Sequence, residues 1–182
     1  MTLWADAEQW LVEHRAGASR EEALARFDAL DAVEPAEMLG RWRGSGLPTG
    51  SPLDGLLEAY GWYGKEFVDT ETVHPLLFGT SSGPRPVDPA LVPVGVLRDR
   101  PALAHSRAAR TAFRLVRPLV TTTKPRARLR AVEHRGVPTA AMVYDALPII
   151  DVFRRVSEDV RLGLMDLRGL PDPFFFVLTR EG

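Results

Sequence analysis

The last third of the chain alternates apolar and polar residues with a period of two, and this pattern restricts the fold more than any other feature. The alternation is clearest where single apolar residues separate Arg126, Arg128 and Arg130. The pattern continues through five short segments, at 126–131, 137–145, 149–156, 160–165 and 174–179. Tight turns join the segments, and no helical pattern lies between them. The sequence therefore predicts an antiparallel meander.

The stretch from about 35 to 93 is rich in glycine, proline and aromatic residues. Gly40-Arg41-Trp42-Arg43-Gly44 places glycines around one tryptophan, which suits a strand that bends sharply while the ring packs into the barrel floor. Further short strands are predicted at 67–68, 73, 76–78 and 91–97, and a short helix at 53–60. With the meander they make about eight strands, at which a closed barrel is just wide enough for one small ligand. A sandwich or an open half-barrel fits the same pattern.

Helical spacing is confined to the N-terminus and to one later segment. Apolar residues recur at helical spacing within 3–11 and 23–30, and Ser19 with Glu22 forms a capping box that begins the second helix. The segment 101–118 predicts a third helix, with arginines on one face and alanines with Phe113 on the other. The fold class is therefore α+β, an antiparallel barrel of about eight strands with an N-terminal helical pair and one further helix.

The chain is expected to have three regions. Residues 1–32 form an N-terminal helical segment, 33–97 the glycine-rich region, and 98–182 the C-terminal β-meander region. We expect 33–182 to form one structural unit, because strands from both of its regions are needed to close one barrel.

Several separated motifs resemble, in order, a known bacterial family. Gly40–Gly44 and Gly61-Trp62-Tyr63-Gly64-Lys65 resemble the GXWXG domain, and the segment from 126 to 176 is similar to the domain of unknown function usually fused behind it. The resemblance covers about residues 20–180. It implies a calycin-like barrel, similar to those of lipocalins and nitrobindin, which bind fatty acids, retinoids and other apolar ligands.

This combination predicts non-catalytic binding or carriage of a hydrophobic, anionic ligand, such as a fatty acid or a phospholipid. An apolar interior favours the tail, and a few cationic groups can fix an acidic head. The candidate lining residues are Trp62, Tyr63, Met142, Tyr144 and Met165. The candidates for the head are Lys65, Arg128 and Arg130. Neighbouring strand residues face opposite sides, so an extended strand cannot place both Trp62 and Tyr63 in one pocket.

Positive charge is concentrated in one part of a chain whose net charge is −1. Residues 98–135 hold 11 basic and two acidic side chains. Such a block is either a solvated face or a surface that attracts phosphate headgroups, which makes peripheral membrane contact one expected interaction. Nucleic acid is not an expected partner, because Phe113 is the only aromatic residue in the block and single-strand binding needs stacking rings.

No catalytic signature is present, so no catalytic residue, metal or cofactor is assigned. The chain lacks cysteine, a Gly-x-Ser-x-Gly elbow and a His-Glu-x-x-His pair. One enzymatic alternative stays open, an isomerase or cyclase in which Asp151 acts as the acid or base together with Tyr144 and Arg154. A buried carboxylate has the raised pKa that proton transfer needs. The competing interpretation pairs Asp151 with a nearby arginine.

A second alternative is a haem protein, because residues 40–46 also match the Gly-x-Trp-x-Gly-x-Gly string of nitrobindin. Haem in such a barrel requires an axial imidazole from a strand near the end of the chain. The four histidines are His14, His74, His105 and His134, so the final 48 residues contain none. The sequence therefore favours the lipid container over the haem protein.

The N-terminus lacks the basic start and apolar run of a signal peptide, and no stretch approaches the roughly 18 apolar residues of a membrane span. We therefore expect a cytoplasmic protein.

Overall fold

The computed structural model describes residues 3–182, and its centre is a closed antiparallel barrel. The strands are β1 Gly40–Leu47, β2 Trp62–Phe67, β3 Val73–Phe78, β4 Arg85–Pro86, β5 Ala127–His134, β6 Val137–Tyr144, β7 Ile149–Arg155, β8 Val160–Leu167 and β9 Phe174–Arg180. The order β2-β1-β9-β8-β7-β6-β5-β3 closes through the pairing of β2 with β3, while the two-residue β4 extends one edge of β3. The predicted α+β fold with an eight-stranded barrel is confirmed.

Six α-helices surround the barrel in the described part of the chain. They are α1 Leu3–Glu13, α2 Arg20–Ala29, α3 Leu56–Ala59, α4 Val94–Asp99, α5 Pro101–Ala104 and α6 Arg107–Val116. Short 3₁₀ turns lie at Pro35–Met38, Pro89–Leu91 and Arg117–Leu119. Within residues 3–182, no helix combines the length and the apolar character that crossing a bilayer requires.

Local capping chemistry explains where several helices begin. The Ser19 hydroxyl accepts the backbone N–H of Glu22, and the Glu22 carboxylate accepts the N–H of Ser19, which is the predicted capping box. The helix predicted over 101–118 is divided, because the Ser106 hydroxyl caps a new helix by accepting the N–H of Ala109 at 3.1 Å.

The strand predicted at 91–97 is wrong. This segment forms the 3₁₀ turn Pro89–Leu91 and then α4. The Asp88 carboxylate accepts the N–H of Ala90 at 3.0 Å, and proline at the first position of the turn is already held near helical geometry. A short apolar run between prolines fits either a strand or a helical turn. Here the Asp88 cap and the proline after it favour the turn.

Alternating strand residues build two hydrophobic cores on the two faces of the sheet. In β9, Phe174, Phe176 and Leu178 pack inside the barrel, whereas Phe175 lies in the core under α1 and α2. The interior rings pack edge to face, with Phe153 centred 5.8 Å from Phe67 and 6.2 Å from Phe176. Aromatic and aliphatic side chains together fill most of the barrel interior.

Trp42, from the glycine-flanked motif, is fully buried. Its Nε1–H donates to the carbonyl oxygen of Met38 at 2.7 Å. The guanidinium of Arg180 lies 4.2 Å from its ring centroid and that of Arg161 lies 5.0 Å away. Burial lowers the pKa of Arg161 to about 10. As expected, Trp42 packs as part of the barrel structure rather than into a ligand chamber.

Two glycines allow β1 and β2 to approach each other closely beside Trp42 and Trp62. A Cβ at Gly44 would lie 2.2 Å from the Trp62 ring. Gly64 has φ +153°, and a Cβ there would lie 1.9 Å from the carbonyl oxygen of Trp42. The register of β2 against β3 also shifts around Gly64. This irregularity changes which residues of β2 face the barrel interior.

Candidate functional site

A small chamber of about 80 Å³ remains between the aromatic side chains of the barrel interior. Strands β2, β6, β7, β8 and β9 contribute to its wall, together with α3. Most of its lining side chains are apolar, among them Leu53, Leu147, Ile149, Met165, Leu167 and Phe174. Two ionised side chains, Lys65 and Asp151, also line it. We call this space the inner chamber.

Lys65 on β2 and Asp151 on β7 form an ion pair in the inner chamber. The Nζ of Lys65 donates to Oδ2 of Asp151 at 2.7 Å and to the carbonyl oxygen of Pro75 at 3.2 Å. The two side chains are only 3% and 1% exposed. Removing two charges from water is costly, so the attraction within the pair and the added hydrogen bond offset desolvation.

Aromatic rings surround the Lys65 ammonium group. Its Nζ lies 5.0 Å from the ring centroid of Phe176, 5.5 Å from that of Trp62 and 5.9 Å from that of Tyr144. The negative faces of such rings attract a cation. The register shift around Gly64 places both Trp62 and Lys65 on the inner face of β2, although strict alternation would put them on opposite faces.

Asp151 retains an unused hydrogen-bond acceptor. Its Oδ1 is buried and has no hydrogen-bond partner among the described residues. Burial raises the pKa of Asp151, against the opposing effects of Lys65 and Tyr144. Burial also raises the pKa of Tyr144 well above its ordinary value, and the negative charge of Asp151 adds to this shift. The inner chamber therefore contains a carboxyl group that favours its protonated form more than an exposed aspartate does.

A larger chamber of about 530 Å³ lies between the barrel mouth and the helices α4 to α6. We call this space the outer chamber. Four residues line both chambers, so the two chambers adjoin: Leu56, Leu57, Leu76 and Val92. Its helical wall is built mainly from small side chains, including Ala108, Ala109 and Ala112. The sequence predicts the ligand space inside the barrel, whereas most of the volume of the two chambers lies under these helices.

Four of the predicted site residues line the inner chamber: Trp62, Lys65, Tyr144 and Met165. Met142 is fully buried in the interior core, opposite Asp151 in the register of β6 and β7, but is not among the described lining residues. Tyr63 faces away from its neighbour Trp62. Its ring contacts the guanidinium of Arg43, and its hydroxyl donates to Glu181.

The structure places Arg128 and Arg130 on the outside of β5. Arg128 pairs with Asp145 at 3.2 Å, and Arg130 pairs with Glu71 at 2.6 Å. Both arginines are exposed to solvent over 40% or more of their side chains, and neither lines a chamber. Of the three cationic residues that were predicted to bind the acidic head, Lys65 is the one that reaches the barrel interior.

Arg154 does not join Tyr144 and Asp151. Residues 151 and 153 of β7 face the barrel interior, whereas Arg154 lies under α2 with its guanidinium 5.2 Å from the Phe27 ring. The partner of Asp151 is Lys65, which is 86 residues away in the sequence. The sequence offers only one indication of this pair, the opposite charges of its two residues, because no sequence motif contains both.

The histidines give no support to the haem alternative. His14 stacks on Trp10 with ring centroids 4.2 Å apart, and His105 contacts the carbonyl oxygen of Pro52. His134 lies near Phe27, and burial lowers its pKa. None of the described residues that line either chamber is a histidine, so the required axial imidazole is missing from them.

The fold and its cavity define a calycin-like barrel with an apolar chamber at one end. The sequence matches the family model described as GXWXG protein over residues 25–83 and the Domain of unknown function (DUF4334) over residues 125–180. A crystal structure of a protein from Thermomonospora curvata is similar, with 35% sequence identity and a TM-score of 0.71. The alignment covers 97% of this chain and 99% of that one. No curated protein matches the sequence. The chain belongs to the family that combines the GXWXG and DUF4334 domains.

Removing one member of the buried ion pair should destabilise the protein more than removing both. We expect Lys65→Met to lower the free energy of unfolding by about 3–5 kcal/mol at neutral pH, and Lys65→Met with Asp151→Leu to recover most of that loss. Urea denaturation followed by circular dichroism measures both values. A double variant as unstable as the single one would contradict this account.

The pH dependence of the Lys65→Met variant has a defined sign. Burial raises the pKa of Asp151 in the folded state. The folded variant is therefore more stable at low pH, where the buried carboxyl is protonated, and it loses that stability as pH rises through this pKa. The deficit relative to wild type should therefore be smaller at acidic pH than at pH 8.

Proposed function

We propose that this protein binds and carries a hydrophobic ligand with one acidic end, of the fatty-acid or phospholipid class. The observation that carries the proposal is the junction of an apolar outer chamber with an inner chamber that contains a buried ion pair. The outer chamber of about 530 Å³ falls within the range of about 300–1,000 Å³ typical of small-molecule sites. A hydrocarbon chain would occupy it, with the polar end toward Lys65.

The size of the inner chamber favours a compact polar end. A volume of about 80 Å³ admits a carboxyl group but not a glycerophosphate headgroup. A fatty acid could therefore insert its carboxyl end first, whereas a phospholipid would have to bind with its headgroup at the barrel mouth. Within this class, the geometry favours the free fatty acid.

The ion pair governs how an anionic end would bind. Lys65 and Asp151 together carry no net charge, so a carboxylate gains little attraction while both are ionised. When Asp151 takes up a proton, the pair becomes cationic, and the Lys65 ammonium group can pair with the ligand. Asp151 can then also donate a hydrogen bond to the ligand. The raised pKa of Asp151 brings this proton uptake closer to neutral pH.

Filling the outer chamber should block the ligand. We expect Ala112→Trp to weaken binding of the fluorescent probe 11-(dansylamino)undecanoic acid by at least about tenfold, equivalent to about 1.4 kcal/mol. The adjacent Thr111 is exposed and does not line the chamber, so Thr111→Trp is the matched control and should retain wild-type affinity. Fluorescence titration and native mass spectrometry of solvent-extracted protein measure binding. Equal affinities in both variants would overturn the proposal.

Binding of a fatty acid should weaken as pH rises above the pKa of Asp151. Displacement of the uncharged probe Nile red by dodecanoate should therefore be stronger at pH 6 than at pH 8.5, whereas displacement by dodecanol should not change. Asp151→Asn imitates the protonated carboxyl, so dodecanoate should bind this variant tightly at both pH values. Circular dichroism checks that the variant is folded. A pH response of the same size in Asp151→Asn would show that Asp151 is not responsible.

Proton transfer at Asp151 is a second candidate function, favoured by the unpartnered Oδ1. In an apolar β,γ-unsaturated ketone, Oδ1 would remove a proton from the carbon between the carbonyl and the double bond. Lys65 or Tyr144 would donate a hydrogen bond to the enolate oxygen, and Asp151 would return the proton to the γ carbon. The product is the conjugated isomer, with no other change in composition.

The two functions respond oppositely to Asp151→Asn. If isomerisation occurs, wild type should convert oct-4-en-2-one to its conjugated isomer, detected by ultraviolet absorption, and Asp151→Asn should abolish the conversion while retaining dodecanoate binding. Wild-type protein that binds dodecanoate but gives no conversion above the buffer rate would reject the isomerase for this ketone class.

A further inference from the structure

Exposed apolar side chains are concentrated beside the outer chamber. Of the eight large hydrophobic side chains that are exposed in the described part of the chain, five lie between residues 91 and 119. Leu115 and Leu119 are the most exposed, at 75% and 83%. Exposed leucines clustered on one short segment are a recognised mark of an interaction surface.

The end of this segment carries an excess of positive charge. Residues 100–119 contain five basic and no acidic side chains. Arg107, Arg110 and Arg114 on α6 form no ion pair with any described residue, whereas nine other arginines of the chain are paired with carboxylates. Unpaired arginines on a face with no acidic residue favour contact with an anionic surface.

Helix α6 contributes some of its side chains to the outer chamber and leaves others outside it. Ala108, Ala112 and Phe113 form part of the wall of the outer chamber, with the Phe113 ring centred 5.2 Å from that of Tyr60. The arginines and Leu115 lie outside that wall. Anything that binds the outer side of α6 is therefore one helix away from the proposed ligand space.

We propose that the outer side of residues 107–119 is a docking surface for anionic phospholipid bilayers. The surface consists of Leu115, Leu119, Arg107, Arg110 and Arg114. The arginines would attract the lipid phosphates, and the leucines would insert among the acyl chains at the bilayer surface. As a route for loading the outer chamber, this inference rests on the proposed ligand binding. As a membrane-binding activity, it stands separately.

Two features favour a bilayer over other anionic partners. Nucleic-acid binding requires exposed rings for base stacking, but Phe113, the one aromatic residue of the segment, packs against Tyr60 and Phe78. An acidic protein surface would match the arginines but would not require the two highly exposed leucines, Leu115 and Leu119, that follow them. A bilayer offers phosphate and hydrocarbon together.

Sedimentation with sucrose-loaded vesicles tests the inference. Wild type should bind vesicles of equal parts phosphatidylglycerol and phosphatidylcholine, and raised salt or pure phosphatidylcholine should weaken that binding. Each arginine near an anionic surface adds about fivefold in partitioning, so Arg107→Gln with Arg110→Gln and Arg114→Gln should reduce binding about a hundredfold. Leu115→Ser with Leu119→Ser should reduce it as well, at constant charge.

The matched control removes three exposed, ion-paired arginines from other faces, by Arg20→Gln, Arg128→Gln and Arg130→Gln. This control loses the same net charge but should retain vesicle binding within about twofold, because its arginines lie away from the proposed surface. An equal loss in this control would overturn the proposed surface. Wild type that fails to sediment with the anionic vesicles, or whose arginine and leucine variants change only self-association in analytical ultracentrifugation, would also overturn it.

Binding of 11-(dansylamino)undecanoic acid in the same variants distinguishes this inference from the proposed function. Loss of vesicle binding with normal probe binding is the expected result for the arginine and leucine variants. Vesicle binding by a wild-type protein that does not bind the probe would leave the docking surface in place and reject the ligand container.

Discussion

The ion pair between Lys65 and Asp151 determines what the inner end of this barrel can accept. Two charges are held away from water by one carbonyl oxygen, three aromatic rings and each other. Such a pair adds little net stability compared with apolar side chains, but it leaves one acceptor oxygen of Asp151 unused. In the proposed function, a ligand with a polar end would use this free acceptor, and proton uptake by Asp151 would let the site accept an acid.

The barrel and its helices have different parts in the proposed ligand binding. Closely packed aromatic and aliphatic side chains fill most of the barrel interior, which makes the wall rigid and holds the ion pair in place. The helical side instead presents alanines to the barrel mouth, and their small side chains leave the outer chamber unfilled. In the proposed function, the hydrocarbon chain of the ligand would lie under the helices, and its polar end would meet residues of the strands. The outer side of α6 would be the part that meets the membrane in the proposed docking.

The alternation of the sequence predicted an antiparallel meander and the two faces of its strands, but a sandwich or an open half-barrel fitted the same pattern. Because side chains of a strand point to opposite sides, Phe174 and Phe176 share one core and Phe175 enters the other. The glycines around Trp42 correctly indicated that its ring points inward. Periodicity failed at 91–97, because a short apolar run between prolines does not distinguish a strand from helical turns.

The sequence by itself therefore determined the fold class and the burial of Trp42, and it offered Lys65, Tyr144 and Asp151 as candidate site residues. The tertiary structure decided which of these groups meet. A register shift at Gly64 turns Lys65 inward beside Trp62, and barrel closure brings it to Asp151, 86 residues away. Closure also decides which strand face becomes the interior, which alternation alone leaves undetermined, because a period of two is the same when read from either face.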